Sequence, residues 1–287
     1  MKVGLVLEGG GTRGIFTSGV LDRMMREGID FPYVIGVSAG ACNGIGFMSK
    51  QIGRTRDCMI PTPGDTIISV KNLRKAHSIY DMTSIFDSYP YKEYPLDFET
   101  LFANPAEFEV VATNCLTGEA TYFSERDPDK KELLMEMCKA SCSLPFLASE
   151  TVIEGVPYMD GGLADSVPVA RAQTKGCTRF VIVLTRQKGF RRKANGRIKK
   201  RMEKVYRRYP KLIETMDDRY LMYNEEMDLV DWLEEQGRAF VIRPTGHMID
   251  KTESDHHELL AFYSQGYRLM DERMDELKRF LSECGHN

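Results

Sequence analysis

Short apolar runs alternate with helical patterns in the first part of the chain. Residues 2–7 cluster apolar side chains without a clean polar face, which is typical of a buried strand. Residues 13–27 predict a helix, residues 33–37 a second strand and residues 39–52 a second, rather apolar helix. Strand–helix–strand–helix at this spacing predicts an α/β fold with a mostly parallel sheet and right-handed crossovers.

The alternation weakens between residues 54 and 105, where prolines and aromatic residues predict an irregular region that covers part of the molecule. Beyond it the pattern favours two strands joined by a turn, a short helix, a hairpin, a second short helix and a third buried strand. The two strands span residues 108–114 and 120–123, and the short helix spans residues 130–139. The hairpin spans residues 153–159, the second short helix 167–174 and the third buried strand 179–184.

The composition changes after residue 185. Residues 186–211 contain thirteen Lys or Arg and one acidic residue, and a helix-rich region follows that an apolar strand at residues 239–242 interrupts. An apolar stripe with three- and four-residue spacing predicts one long helix over residues 254–281. We therefore expect one domain at residues 1–185 and a helical extension at residues 186–287, packed on the core.

Composition limits the classes of function. A net charge of −3 gives no general attraction to nucleic acid, and no aromatic residues are interleaved with the basic run as stacking platforms. No stretch approaches the roughly 20 apolar residues that span a bilayer, and residues 3–7 are too few for a signal-peptide core. Seven scattered cysteines without a C-x-x-C pair indicate neither a disulfide framework nor a zinc site. These features predict a cytoplasmic protein with no cofactor or metal.

The first chemical motif is the G-x-S-x-G pentamer formed by Gly36, Ser38, Ala39 and Gly40 with the intervening valine. Composition alone yields such a pentamer in about one chain in ten of this length, so the pentamer by itself also fits a tight turn without chemistry. Its context adds more, because it falls where a buried strand meets a helix. That junction is the sharp turn that exposes a nucleophilic serine, and the helix amides point toward it.

The second motif is a glycine-rich loop between a strand and a helix, made of Gly9, Gly10, Gly11, Thr12, Arg13 and Gly14. It matches the G-x-G-x-x-G pattern of dinucleotide sites, but such a site needs an acidic residue at the end of the second strand. That strand ends at Ser38, and the nearest acid, Asp30, precedes it. Free amides facing a nucleophile suit an oxyanion hole instead. Arg13 could add positive charge there or cap the loop.

The third motif is Asp160-Gly161-Gly162, after a hairpin and before a helix. An isolated aspartate in such a turn is usually structural. Beside a nucleophile and an oxyanion loop it becomes the leading candidate for the general base.

The three motifs in this order resemble the patatin-like phospholipase family, which combines a G-G-G-x-R/K-G loop, a G-x-S-x-G elbow and a D-G-G/A aspartate. The resemblance covers residues 3 to about 185, and Arg13 fills the basic slot. It implies a three-layer sandwich, a lipid acyl hydrolase activity, Ser38 as nucleophile, Asp160 as base and the glycine loop as oxyanion hole. The segment after residue 185 resembles the C-terminal extension of a bacterial subgroup of this family.

A histidine triad is the competing arrangement. Of the five histidines, His247 is the one that follows a strand and comes after Asp160, whereas His256 and His257 open a predicted helix. The resembling family uses no histidine, so we favour a Ser38–Asp160 dyad. A carboxylate with an ordinary pKa of about 3.9 is a weak base, which suits esters, and partial burial would raise that pKa.

Substrate and partners follow mainly from the resemblance. Sixteen methionines and the aromatic-rich segment at residues 79–108 could line a groove for an acyl chain or fill an ordinary core. The basic run at residues 186–211 could be a solvated surface balanced by the acidic stretch at residues 217–235, or a patch for anionic lipid headgroups. A non-catalytic lipid- or protein-binding module on the same fold is the alternative function.

Overall fold

The computed structural model describes residues 1–60 and 80–283, apart from the side chain of Arg197. The strands are β1 Lys2–Leu7, β2 Tyr33–Val37, β3 Glu107–Asn114, β4 Ala120–Phe123, β5 Thr151–Ile153, β6 Val156–Asp160, β7 Cys177–Val183 and β8 Ala239–Ile242. The α-helices are α1 Gly14–Arg26, α2 Ala39–Met48, α3 Arg54–Met59, α4 Phe98–Ala103, α5 Lys131–Ser141, α6 Val169–Thr174, α7 Gly196–Val205, α8 Pro210–Glu235, α9 His256–Glu272 and α10 Met274–Ser282. Short 3₁₀ turns occur at Gly11–Arg13, Pro128–Lys130 and Gly161–Leu163, and a π-helical turn at Ser84–Ser88.

The strands form one twisted sheet in the order β5-β6-β3-β2-β1-β7-β8, with β4 also paired to β3. The central pairs β3–β2, β2–β1, β1–β7 and β7–β8 are parallel, while β4, β5 and β6 run antiparallel to their neighbours. The predicted α/β class with a mostly parallel sheet is confirmed. The irregular region predicted over residues 54–105 contains α3, the π-helical turn and α4, and its residues 61–79 lie outside the described part.

Helices cover both faces of the sheet because alternate strand residues point to opposite sides. Leu5 and Val34 join one core cluster with side chains of α1, α2, α5 and α9. Val6 and Ile35 join a second cluster on the other face with side chains of α6 and α8. These two clusters are the interfaces of a three-layer sandwich.

Helices α1 and α9 cross at unusually short range. A Cβ on Gly19 would lie 2.1 Å from the Tyr263 carbonyl oxygen, and one on Gly266 would lie 2.2 Å from the Phe16 carbonyl oxygen. Only glycine leaves room for this approach. The contact fixes α9, from the C-terminal part of the chain, against the first helix of the sandwich.

The segment after residue 185 takes part in the central sheet. β8 pairs in parallel with β7, from Phe180 opposite Ala239 to Val183 opposite Ile242. The single helix predicted over residues 254–281 is wrong, because the chain leaves helical geometry at Arg273 and continues as α10. The Arg273 guanidinium donates to the Val241 carbonyl at 2.6 Å and lies over the Phe240 ring, which holds the break against β8.

Within residues 1–60 and 80–283, no helix combines the length and the apolar character that crossing a bilayer requires. The long helix α8 carries charged residues along most of its length.

Candidate functional site

Strand register brings the three sequence motifs to one end of the sheet. β2 and β3 pair Val37 with Val111, so Ser38 comes one step further, level with Ala112. β6 pairs Asp160 with that same Ala112. β1 ends at Leu7, which is paired with Gly36, so the glycine loop also begins beside Ser38. Parallel strands end at the same edge of a sheet, which is where α/β proteins build their sites.

Ser38 occupies a strained turn between β2 and α2. Its backbone has φ 54° and ψ −124°, a conformation that non-glycine residues rarely adopt. A Cβ on Gly36 would lie 2.6 Å from the Gly40 carbonyl oxygen, and one on Gly40 would lie 2.3 Å from the Leu7 carbonyl oxygen. The two glycines therefore let the turn close against β1, as the elbow motif requires. The Ser38 amide donates to the Ser141 hydroxyl at 2.7 Å.

The glycine loop lies against the serine. A Cβ on Gly9 would be 3.0 Å from the Ser38 Cβ, and Gly11 takes a left-handed φ of 59°. Within the described residues, the amides of Gly9, Gly10 and Gly11 donate to no acceptor, whereas the Thr12 amide donates to the Lys251 carbonyl and the Arg13 amide to the Gly10 carbonyl.

The loop thus divides into two halves. The amides of residues 9–11 have no acceptor among the described residues, whereas the Thr12 and Arg13 amides hold the loop in place. The sequence motif had predicted all six loop residues as parts of one oxyanion hole. Gly14 lies further on, where a Cβ would come 2.6 Å from that of Ala39, so α1 and α2 start in contact. Ala39 opens α2, and its amide belongs to the first turn, where helix amides lack intrahelical partners.

Asp160 is buried, with 2% of its surface exposed. Its Oδ1 accepts from the Gly162 amide at 2.9 Å, while its Oδ2 has no hydrogen-bond partner among the described residues. A Cβ on Gly161 would lie 2.1 Å from the Val111 carbonyl oxygen, so this turn too needs a glycine.

Burial raises the pKa of the Asp160 carboxyl above its ordinary value, and the positive charge of Arg219 and the nearby Ser38 hydroxyl oppose the increase. The hydroxyl is close enough to favour the ionised carboxylate, although no hydrogen bond of normal geometry joins the two groups. Catalytic hydrogen bonds are often long in proteins without substrate. The arrangement therefore places the Ser38 hydroxyl near a carboxylate whose Oδ2 accepts from no described group.

A buried hydrogen-bond network that the sequence did not predict holds the start of the glycine loop. Glu8 accepts from the Thr185 amide at 2.6 Å and from the Tyr223 hydroxyl at 3.0 Å. The Thr185 hydroxyl also donates to the Gly9 carbonyl at 2.8 Å. In the sequence, Glu8 is a charged residue directly after a buried strand. Such a residue by itself indicates only where the strand ends. The partners of Glu8 come from β7 and α8, far along the chain.

His247 lies on the surface, with 63% of its side chain exposed, and its Nε2 is 2.6 Å from a Glu258 carboxylate oxygen. It makes no hydrogen bond to Ser38 or Asp160. His256 and His257 open α9 as predicted, and the other two histidines, His77 and His286, lie outside the described residues.

An apolar cavity opens beside Ser38. It lies between α2, α3, α5 and the π-helical turn, and it also touches Gly11 and Thr12. Its apolar lining comprises Ile45, Met59, Met82, Ile85, Phe86, Leu96, Met135 and Leu144, together with Cys42, Cys58, Cys138 and Cys142. The cavity is suited to a flexible hydrocarbon chain, since methionines and cysteines adapt to irregular apolar ligands.

The basic run at residues 186–211 divides into paired and unpaired side chains. Arg191 contacts Asp228 and Asp231, and Lys199 contacts Asp217, so part of the run is balanced by acidic residues of α8. Arg186 and Arg192 make no ion pair with any described carboxylate.

Comparison with known sequences identifies the family of the chain. A family model described as patatin-like phospholipase matches residues 5–172, and the chain belongs to that family. A model for a domain of unknown function, DUF6363, matches residues 209–282. The second match covers α8, β8, α9 and α10.

Two curated relatives each match a little under two thirds of the chain. The uncharacterized protein YjjU of Escherichia coli K12 is 32% identical over 190 residues, which is 64% of this chain and 52% of YjjU. Lysophospholipase NTE1 of Candida albicans is 28% identical over 195 residues, which is 63% of this chain and 13% of NTE1. The chain thus spans about half of one relative and a small part of the other.

Among solved structures, VipD from Legionella pneumophila is similar with a TM-score of 0.50 at 15% sequence identity. The superposition covers 94% of this chain and 67% of the VipD chain. At this identity the likeness concerns the fold. Family membership and the lysophospholipase relatives support a lipid hydrolase activity at the level of the family.

Proposed function

We propose that this chain is a carboxylic ester hydrolase that cleaves lipid esters, of the phospholipase A or lysophospholipase type, through a Ser38–Asp160 dyad. The observation that supports it most is that Ser38, at a strained elbow, lies level with a buried Asp160 whose Oδ2 has no hydrogen-bond partner among the described residues. Free amides of the glycine loop lie beside the same serine. A nucleophile, a base and an oxyanion site are the three parts that acyl transfer needs.

In the proposed mechanism the Ser38 oxygen attacks the ester carbonyl carbon while its proton moves to Asp160. The amides of Gly9, Gly10 and Gly11 donate to the developing oxyanion. When the tetrahedral intermediate collapses, the bond to the alcohol oxygen breaks and Asp160 returns the proton to that oxygen. Water then attacks the acyl-Ser38 ester while Asp160 again accepts a proton. The bond between the acyl carbon and the Ser38 oxygen breaks, Asp160 returns the proton to the Ser38 oxygen, and the fatty acid leaves.

An ester suits this dyad better than an amide. The pKa of Asp160 is raised by burial but remains that of a carboxyl group, so full ionisation of Ser38 is steeply uphill. Proton transfer must therefore accompany attack on carbon, and an alkoxide leaving group needs less assistance than an amine. The apolar cavity beside Ser38 would hold the acyl chain.

Covalent labelling tests the proposal without a choice of substrate. We expect a fluorophosphonate to modify wild type at Ser38, located by mass spectrometry of the peptides. Ser38→Ala should remain unlabelled, and Asp160→Asn should react at least about 10³-fold more slowly. His247→Ala serves as the matched control and should react like wild type. Absence of labelling in wild type would favour the non-catalytic binding module instead.

Peripheral contact with the cytoplasmic face of a membrane is a further part of the proposal. Lys193, Lys200 and Lys204 are exposed and have no ion-pair partner among the described residues, and Val205 next to them is 51% exposed. Each basic side chain near an anionic surface contributes about 1 kcal/mol. Co-sedimentation with vesicles should require anionic lipid and weaken with salt, and Lys200→Glu/Lys204→Glu should reduce it. Binding that ignores lipid charge and salt would contradict this part.

A further inference from the structure

Five cationic side chains near the glycine loop, its supporting network and Asp160 lack a carboxylate partner in the described part of the chain. Among the described residues, no carboxylate oxygen lies within 4.0 Å of a side-chain nitrogen of this basic cluster, whose members are Arg13, Arg186, Arg192, Arg219 and Lys251. By contrast, Arg171 pairs with Glu109 and Arg243 with Glu234. Four of the five residues follow residue 185 in the chain.

The arginines of the basic cluster also leave buried donors unsatisfied. The Nε atoms of Arg13, Arg186, Arg192 and Arg219 are inaccessible to solvent and have no acceptor within the described part of the chain. A buried polar group without a partner costs about 1–3 kcal/mol, so four at one place call for an explanation. A bound anion would supply the missing acceptors.

The contacts direct the basic cluster toward the reaction centre. An Arg219 Nη lies 3.1 Å from where a Cβ of Gly162 would be, beside the Asp160 carboxylate. The Lys251 carbonyl accepts the Thr12 amide at 3.0 Å, so Lys251 lies against the oxyanion loop. Arg192 lies over the Tyr223 ring at 4.5 Å, on the side of the network below the loop.

The members of the basic cluster are close enough to repel each other. Burial, followed by the charge of Arg186, lowers the pKa of Arg13 to about 10. Burial and Arg192 lower the pKa of Arg219 to about 10 as well, and burial with Arg219 and Arg13 lowers that of Lys251. With pKa values of about 10, Arg13 and Arg219 stay protonated at neutral pH, so these two buried guanidinium groups keep their positive charge there.

Nearby carboxylates do not neutralise the basic cluster. Glu8, Asp160, Glu226 and Asp250 act on its members electrostatically without pairing with them. Glu8 is already bonded to the Thr185 amide and a tyrosine hydroxyl, and the pKa values of Asp160 and Glu226 are raised by burial. The basic cluster therefore keeps a net positive charge, and a bound anionic ligand would compensate that charge.

We propose that the basic cluster binds the phosphate group of the lipid substrate, so that the C-terminal segment selects phosphate-bearing lipids over neutral acyl esters. The inference rests on the proposed function for the ester chemistry. The apolar cavity takes the acyl chain on one side of Ser38, and the basic cluster takes the phosphate on the other. Arginine suits this role because its fork of donors matches phosphate oxygens.

Binding of non-hydrolysable lipids tests the inference separately from catalysis. The probes are two ether lipids with the same alkyl chain, a 1-alkyl-glycerol 3-phosphate and a 1-alkyl-glycerol, measured by isothermal titration calorimetry below their critical micelle concentrations. Wild type should bind the phosphate form at least about tenfold more tightly. The preference should fall to less than about threefold in Arg192→Gln and in Arg219→Gln, because each removes charged donors to phosphate.

Arg191→Gln is the matched control, since it removes a neighbouring arginine that Asp228 and Asp231 already pair. It should keep the full preference for the phosphate form. Inorganic phosphate and glycerol 3-phosphate are titrated alongside: binding of these as tight as that of the phosphate lipid would identify a free-phosphate site and overturn the headgroup assignment. Equal affinity of wild type for both ether lipids would also overturn it, as would a preference that survives in both cluster variants.

Failure of the proposed function gives a different result. If fluorophosphonate labelling and ester hydrolysis are absent while the ether-phosphate preference holds and depends on Arg192 and Arg219, the basic cluster binds phosphate lipids on a non-catalytic protein. If labelling at Ser38 succeeds and the preference is absent, the hydrolase stands without headgroup selection.

Discussion

Asp160 lies level with Ser38 at the end of the sheet, although Ser38 follows β2 and Asp160 ends β6, two strands that run in opposite directions. Ala112 on β3 is the neighbour that both residues share. It pairs with Asp160 of β6, and it directly follows Val111, which pairs with Val37 of β2. The antiparallel hairpin of β5 and β6 thus delivers a carboxylate to the edge where the parallel strands end. Four predictions follow from this geometry and from the packing around it.

The pH dependence of hydrolysis should carry a single acidic limb. Asp160 must be ionised to accept the Ser38 proton, and burial raises its pKa above 3.8. Activity should therefore be full well above that pKa and fall as the pH decreases through it. The measurement is kcat/KM of a soluble ester against pH, and the acidic limb should be retained in His247→Ala. An inflection near pH 6.5 that disappears in His247→Ala would instead indicate a histidine base.

Asp160→Asn should stabilise the protein while it abolishes hydrolysis. Because the folded-state pKa of Asp160 is raised, its ionised form lowers the stability of the fold at neutral pH, and the amide imitates the protonated form. The melting temperature of Asp160→Asn should exceed that of wild type at pH 7. The difference should shrink as the pH falls through the pKa of Asp160. A variant that melts below wild type at pH 7 would show that the carboxylate is needed structurally.

Filling the apolar cavity should shorten the acyl chain that the enzyme accepts. Met135 on α5 lines this cavity, and Met135→Trp adds volume where the chain would lie. We expect kcat/KM for a dodecanoyl ester to fall at least about tenfold, while the value for an acetyl ester changes less than about threefold. Fluorophosphonate labelling at the wild-type rate serves as the check that the dyad is intact. An equal loss for both esters would place the acyl chain elsewhere.

The crossing of α1 and α9 should tolerate no side chain. A Cβ on Gly266 would lie 2.2 Å from the Phe16 carbonyl oxygen, so Gly266→Ala must push the helices apart. We expect a loss of roughly 1–3 kcal/mol in the free energy of unfolding, measured by denaturant titration. Gly196→Ala is the control at an open site at the start of α7 and should be neutral or stabilising by up to about 1 kcal/mol. Equal stability of the two variants would contradict the tight crossing.

Much of the fold was predictable because local pattern determines local structure. Leu5 and Val6 lie in an uninterrupted apolar run and form a strand covered on both faces. The break at Arg273 was not predictable, since the apolar stripe of α9 continues into α10. What ends α9 there is a contact with the carbonyl of Val241 on β8, which no helical periodicity encodes.

The candidate site divides in the same way. The sequence determined the Ser38 elbow and the glycine loop, because their conformations depend on glycines within a few residues of each other. Tertiary structure alone decided that Asp160 faces Ser38 and that Glu8 meets Thr185 and Tyr223. It also decided that Arg219, from the C-terminal segment, lies beside the Asp160 carboxylate with no ion-pair partner among the described residues. These relationships depend on strand register and helix packing between segments that are far apart in the sequence. The spacing of residues along the chain does not show which of these segments meet in space.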